Sequence, residues 1–141
     1  MRHEAKSFRI GNFIQVNETQ KITQIDSIDI HGNIKVLDMV NKLVLQIPLH
    51  EFSPIPIREY WLLKMGWRYL QGCTSGTMTK DAWAPRLELD YVDSKMQIKS
   101  RYGGEETYYP LPHIQHVHDL QNLYYFLTNE ELVMFFGKNE I

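Results

Sequence analysis

The chain has 141 residues, 43% of them hydrophobic, a formal net charge of −2 at pH 7 and a single cysteine. A chain of this size makes about one domain and carries enough apolar surface to build a core without disulfides. The near-neutral charge excludes a binder held to polyanions by bulk charge, and the lone Cys73 excludes a disulfide framework and a Cys-rich zinc site. No apolar run reaches the roughly 18 residues of a membrane helix. The opening Met1-Arg2-His3-Glu4-Ala5-Lys6 leads into no apolar signal core. The expected setting is a soluble protein in the reducing cytoplasm, with no membrane partner.

Residues 1–56 read as a lobe of short strands. Phe8 and Ile10 alternate, Gly11-Asn12 marks a turn, and Phe13-Ile14-Gln15-Val16 resumes. Ile28 and Ile30 lead into His31-Gly32-Asn33. A three-residue loop there would set Ile30 opposite Ile34, Asp29 opposite Lys35 and Ile28 opposite Val36. Leu43, Leu45 and Ile47 predict a further strand. This many short strands in so few residues point to a small SH3-like β-barrel lobe or a curled sheet. Pro48, Pro54 and Pro56 then punctuate the chain and mark its boundary.

Residues 57–141 are expected to pack on that lobe, the whole forming one compact unit. A connecting helix is predicted over 57–65, with Tyr60, Leu63 and Trp67 on one side. Gly66 suits the position after the last turn, and Trp67 can close back on Leu62. An antiparallel meander follows. Leu87, Leu89 and Tyr91 alternate with Arg86, Glu88 and Asp90, and Met96 and Ile98 alternate with Gln97, Lys99 and Arg101. A two-residue turn at Asp93-Ser94 pairs Tyr91 with Met96, Leu89 with Ile98 and Glu88 with Lys99. Thr107 to Leu111 predicts one more strand. Two C-terminal helices close the chain. The first runs over about 112–127, with Val117, Leu120, Tyr124 and Leu127 on one stripe. The second starts at a capping box of Thr128 and Glu131 and stops at Gly137. The fold class is α+β.

The run Ile114-Gln115-His116-Val117-His118-Asp119-Leu120-Gln121-Asn122-Leu123-Tyr124-Tyr125-Phe126-Leu127-Thr128-Asn129-Glu130-Glu131-Leu132 carries a resemblance. So do Arg9-Ile10-Gly11-Asn12-Phe13, Pro54-Ile55-Pro56-Ile57 and Trp61-Leu62-Leu63-Lys64-Met65-Gly66-Trp67. Their order and spacing resemble a group of small uncharacterised proteins of Bacteroidota and their phages and prophages. The resemblance covers most of the chain and is most specific in the C-terminal run. It brings no activity and no catalytic residues. It implies an accessory gene of a mobile element, a class whose products often bind and inhibit host machinery, CRISPR effectors included.

The chemistry-bearing residues speak mostly against catalysis. His113, His116 and His118 cluster, but a metal needs two or three ligands converging, and no second ligand set accompanies them. They read as helix-start and surface histidines. Cys73 sits in Gly72-Cys73-Thr74-Ser75-Gly76 without the strand-turn-helix elbow of a nucleophile, and reads as a small packed side chain. Phosphate-binding glycine loops are absent. Glu105-Glu106 reads as a loop pair, and Glu130-Glu131 as helix capping. No cofactor is expected.

The sharper feature is a basic strand face. The Asp93-Ser94 register puts Arg86 opposite Arg101, an unfavourable pair that calls for water, a carboxylate such as Glu105, or an external anion. Lys95 and Lys99 share the face, with Trp83 and Tyr102 nearby in sequence. Tyr108-Tyr109, Tyr124-Tyr125 and Phe135-Phe136 are adjacent pairs, so one member of each is expected to point outward. Exposed aromatics beside arginine suit a protein interface.

The favoured expectation is a non-enzymatic binding protein, a phage or mobile-element accessory that inhibits a host protein or ribonucleoprotein. The partner- or anion-binding residues would be Arg86, Lys95, Lys99, Arg101, Trp83 and Tyr102. The alternative is a nucleic-acid-binding module using the same face. An exposed aromatic patch would also support a homodimer.

Overall fold

The alternating apolar pattern does build strands. A computed structural model describes residues 8–29, 31, 33–37, 44–70, 76–83, 86–102 and 104–135. Among these, the protein is α+β, with two antiparallel five-stranded sheets and two α-helices. The described residues divide into two compact units. One holds the chain up to Pro56 together with His116–His118, and the other holds Ile57–Gln115 and Asp119–Phe135.

The first unit is built on β1 (Phe13–Val16), β2 (Ile22–Ile28), β3 (Ile34–Leu37), β4 (Val44–Ile47) and β5 (Phe52–Ser53). They lie in the order β4-β3-β2-β1-β5. The ladders do not confirm an SH3-like barrel: this sheet is not closed, and β4 and β5 stand at its edges. Its core gathers Phe8, Ile14, Ile25, Ile34, Val36 and Phe52. Alternation along β3 sends Ile34 and Val36 inward and Lys35 outward.

The hairpin register of β2 and β3 differs from the sequence expectation. Ile28 pairs with Ile34, Ser27 with Lys35 and Ile25 with Val36, with a bulge between Ile25 and Ser27. Asp29 does not face Lys35. Its Oδ1 accepts the N–H groups of His31 (2.8 Å) and Asn33 (2.9 Å), and its Oδ2 accepts Asn33 Nδ2 at 3.0 Å. A short acidic side chain that can bond forward along its own backbone competes with ladder formation. These bonds hold Asp29 below its usual carboxylate pKa, the Asn33 N–H contributing most. Ile30 and Leu43, which carried part of the expectation, lie outside the described residues.

In the second unit α1 spans Glu59–Lys64, shorter than the predicted helix. It buries Leu62, and the following Met65 and Trp67 are also buried. Tyr60 and Leu63 are 51% and 50% exposed, so the predicted apolar side is not the packed one. Gly66 ends the helix at φ +93°, and Trp67 N–H closes on Leu62 O at 2.9 Å.

The sheet of this unit contains β6 (Arg68–Tyr69), β7 (Met78–Trp83), β8 (Leu87–Val92), β9 (Lys95–Tyr102) and β10 (Glu105–Pro110), in the order β10-β9-β8-β7-β6. The β8–β9 register is the expected one: Tyr91 pairs with Met96, Leu89 with Ile98 and Glu88 with Lys99. Asp93 and Ser94 form the connecting turn with φ 50° and 63°, the positive values a two-residue hairpin of this hand requires. Met78, Leu89 and Met96 are buried on the inner face.

α2 spans Val117–Thr128; Val117 and Leu120 are fully buried. The predicted second C-terminal helix does not form over residues 129–135. Thr128 Oγ1 donates back to Tyr124 O (2.8 Å) and accepts Glu130 N–H (3.1 Å). Asn129 takes φ 59° and its N–H bonds Tyr125 O at 2.7 Å, a helix C-terminus. Thr128 therefore closes α2 instead of opening another helix. Beyond it, Leu132 is buried while Val133 is 60% and Phe135 65% exposed, the alternation of extended chain. Gly137 and Phe136 lie outside the described residues.

Candidate functional site

The predicted basic residues lie on or beside β8 and β9, and their neighbours change their meaning. Lys99 and Arg101 sit on one face of β9, two residues apart. Glu88 on β8 and Glu106 on β10 flank them from either side. Glu88 meets Arg101 Nη2 at 3.1 Å and Lys99 Nζ at 4.0 Å. Glu106 meets Lys99 Nζ at 3.5 Å and Arg101 Nε at 3.7 Å. The four side chains form a closed ring of alternating charge. Arg86 and Arg101 do adjoin, with Arg101 N–H bonded to Arg86 O at 2.9 Å. Arg101 is offset by Glu88 and Glu106, carboxylates that the sequence reading did not single out for it.

The ring has a polar surround. Tyr108 OH donates to Glu106 Oε2 at 3.0 Å, and Lys99 Nζ lies 5.9 Å from the Tyr108 ring centroid. The tyrosine hydroxyl, then Lys99, holds the Glu106 carboxyl below its usual pKa. The same bond raises Tyr108. On the other side Thr79 Oγ1 donates to Asp90 Oδ1 at 2.7 Å, which satisfies a carboxylate that is only 6% exposed.

Lys95 opens β9 and is exposed; among the described residues no carboxylate forms an ion pair with it. Trp83 ends β7 opposite Leu87, and Tyr102 ends β9 opposite Glu105. The structure thus brings Lys99 and Arg101 together, places Lys95 at the far end of the same strand, and sets Trp83 and Tyr102 at strand ends.

Beside the ring runs β10, exposed at all six positions. Tyr108 is 51% and Tyr109 52% exposed. The sequence predicts one of this pair outward; both are, because alternation puts them on opposite faces and neither face of this edge strand is covered. Leu111 N–H bonds Met96 O at 3.0 Å, and Arg101 N–H faces β8. Antiparallel alternation then turns the N–H groups of Glu106 and Tyr108 away from β9, along the open edge. Tyr125 is 39% exposed, as one member of its pair was expected to be.

Lys80 was missed by sequence reasoning. It shares the inner face of β7 with the buried Met78 and Ala82. Its Nζ lies 5.7 Å from the Trp67 ring and 5.6 Å from the Tyr124 ring. Burial lowers its pKa, and Arg68 adds to the effect. A Cβ on Gly66 would stand 2.7 Å from this Nζ, a contact the flexible lysine end can relieve by moving aside, so it is the φ of +93° that calls for glycine there. The only available signal was a lysine out of phase with its strand.

The histidines separate. His113 is exposed and His116 half-buried, whereas His118 is 2% exposed, against the surface expectation. Its ring lies 4.6 Å from Phe8 and stacks on His116 at 5.7 Å within the first unit. Among the described residues no three of His, Cys, Asp and Glu converge as metal ligands. Cys73 lies outside the described residues. No described helix is long and apolar enough to cross a membrane. No known protein family, curated protein or solved structure matches this chain.

Proposed function

We propose that this protein is a non-enzymatic binding module that docks on another protein through β10 and the adjoining face of β9. The observation that carries the reading is β10 itself, an edge strand exposed at every position with two half-exposed tyrosines. Rigid aromatics beside arginine supply anchors of low entropic cost, and the outward N–H groups of Glu106 and Tyr108 offer strand addition. The charge ring favours a protein over a nucleic acid. Lys99 and Arg101 already share Glu88 and Glu106, so little cationic charge remains there for a phosphate backbone. The biological version we favour is an intracellular accessory of a mobile element that inhibits a host protein or ribonucleoprotein.

The test is capture from host lysate by the immobilised protein, with and without nuclease, beside the double variant Tyr108→Ala/Tyr109→Ala. A nuclease-resistant protein that the wild type retains and the variant loses by tenfold or more supports the reading. Retention equal in both, or partners that vanish with nuclease, overturns it. The thermal midpoint of the variant reports that the sheet is intact.

A further inference from the structure

A cleft of about 530 Å³ lies in the second unit, at the turn end of the β8–β9 hairpin. Its apolar wall includes Ile57, Met96, Leu111 and Ile114, and its polar groups come from Tyr91, Ser94, Lys95 and Gln115. The backbone around it is tied in place. Leu111 N–H bonds Met96 O, Ile114 N–H bonds Leu111 O at 3.2 Å, and Ile57 N–H bonds Gln115 O at 3.1 Å. A mostly apolar, pre-formed hollow with a few polar groups is the usual build of a small-molecule site.

The charge at its rim is one-sided. Gln115 Nε2 donates one N–H to Pro112 O at 3.1 Å, and among the described lining residues Lys95 alone carries a charge, with the Ser94 and Tyr91 hydroxyls beside it. Lys95 differs from Lys99 and Arg101, which are neutralised in the ring; among the described residues it has no ion pair. Ser94 holds φ 63°, a region that glycine or asparagine occupies more readily. The two-residue hairpin itself requires that angle, so serine is held there at some cost in backbone strain. Glycine would relieve it and would remove the hydroxyl from the cleft.

We propose that this cleft binds a small organic carboxylate with an apolar body. The carboxylate meets Lys95 and Ser94, and the body lies against Met96, Leu111 and Ile114. A neutral ligand of the same body would leave the cation unanswered, and a polyanion would find no apolar fit.

The probe is decanoate below its micelle threshold, with decan-1-ol as its neutral counterpart, followed on protein carrying labelled methionine and isoleucine methyl groups. Decanoate should shift the Met96 and Ile114 methyl signals saturably, and decan-1-ol should bind about tenfold more weakly, the loss expected for one charge-assisted contact. Lys95→Glu, an exposed position, should weaken decanoate about tenfold and leave decan-1-ol unchanged. Ser94→Gly should weaken decanoate several-fold while raising the thermal midpoint. Methyl signals that do not move, equal binding of acid and alcohol, or decanoate binding indifferent to Lys95→Glu each overturns the proposal.

Discussion

Two hairpins of this protein, β8–β9 and β2–β3, hold their registers by different means. In β8–β9 the turn is two residues, both at positive φ, and six consecutive pairs follow without a break. In β2–β3 the connection spans Asp29–Asn33, is organised by the Asp29 carboxylate, and is followed by a bulge after two pairs. A short turn leaves the strands one way to meet. A longer connection leaves several, and the choice passes to side-chain bonds and to which residues the core accepts. The first device is local, and the second is shared between the loop and the packing beneath it.

The largest effect should come from the core under each hairpin. Leu89 and Ile34 are both fully buried. Leu89→Ala and Ile34→Ala should each cost roughly 2 to 5 kcal/mol in urea unfolding, cavity included. A loss confined to one of them would show that the two hairpins do not rely equally on buried surface.

Next comes Asp29. Asp29→Ala should lower the unfolding midpoint by less than Ile34→Ala, and the loop amides of His31 and Asn33 should lose exchange protection. Acid should reproduce this. The folded-state pKa of Asp29 is depressed. Its contribution is therefore present above the unfolded value of about 3.9 and is lost as pH falls through the lower folded value. In Asp29→Ala that pH dependence should disappear from the stability profile. A profile unchanged by the substitution would remove Asp29 from the account of this register.

Ser94→Gly tests the other turn with the opposite sign. Relief of a left-handed serine should raise stability by about 1 kcal/mol, read as a higher urea midpoint at constant slope. Destabilisation would mean that the Ser94 side chain, and not the backbone angle, holds the turn.

The smallest effect belongs to the charge ring. Arg101 is 49% exposed at its side chain, so its coupling to Glu88 in a double-mutant cycle should be only about 0.5 kcal/mol and should shrink in salt. A coupling several times larger would make the ring a structural clamp on β9 rather than a surface arrangement.

Some of this was legible in the order of residues alone. Strict alternation through Leu87–Val92 and Lys95–Tyr102 around Asp93-Ser94 determined the pairing of β8 with β9, because period and turn length pointed to one register, which also sets Glu88 opposite Lys99. Gly66 with Trp67 determined how α1 ends, and the Val117–Leu120 stripe determined the buried side of α2. These are signals carried by neighbours in the chain.

What the tertiary structure decided are the cases where local chemistry permitted two answers. Thr128 and Glu131 match a helix start as well as a stop, and the back-bond to Tyr124 settled it as a stop. Tyr60 and Leu62 are both apolar, and only packing sent Leu62 inward and left Tyr60 exposed. The basic face was visible as residue types on β9. Its neutralisation by Glu106 depended on β10 pairing beside it, and the exposure of Tyr109 on β10 being an edge. Sequence determines which groups a strand carries on each face. Whether a face is covered, and which charges meet across it, depends on strands brought together from elsewhere in the chain.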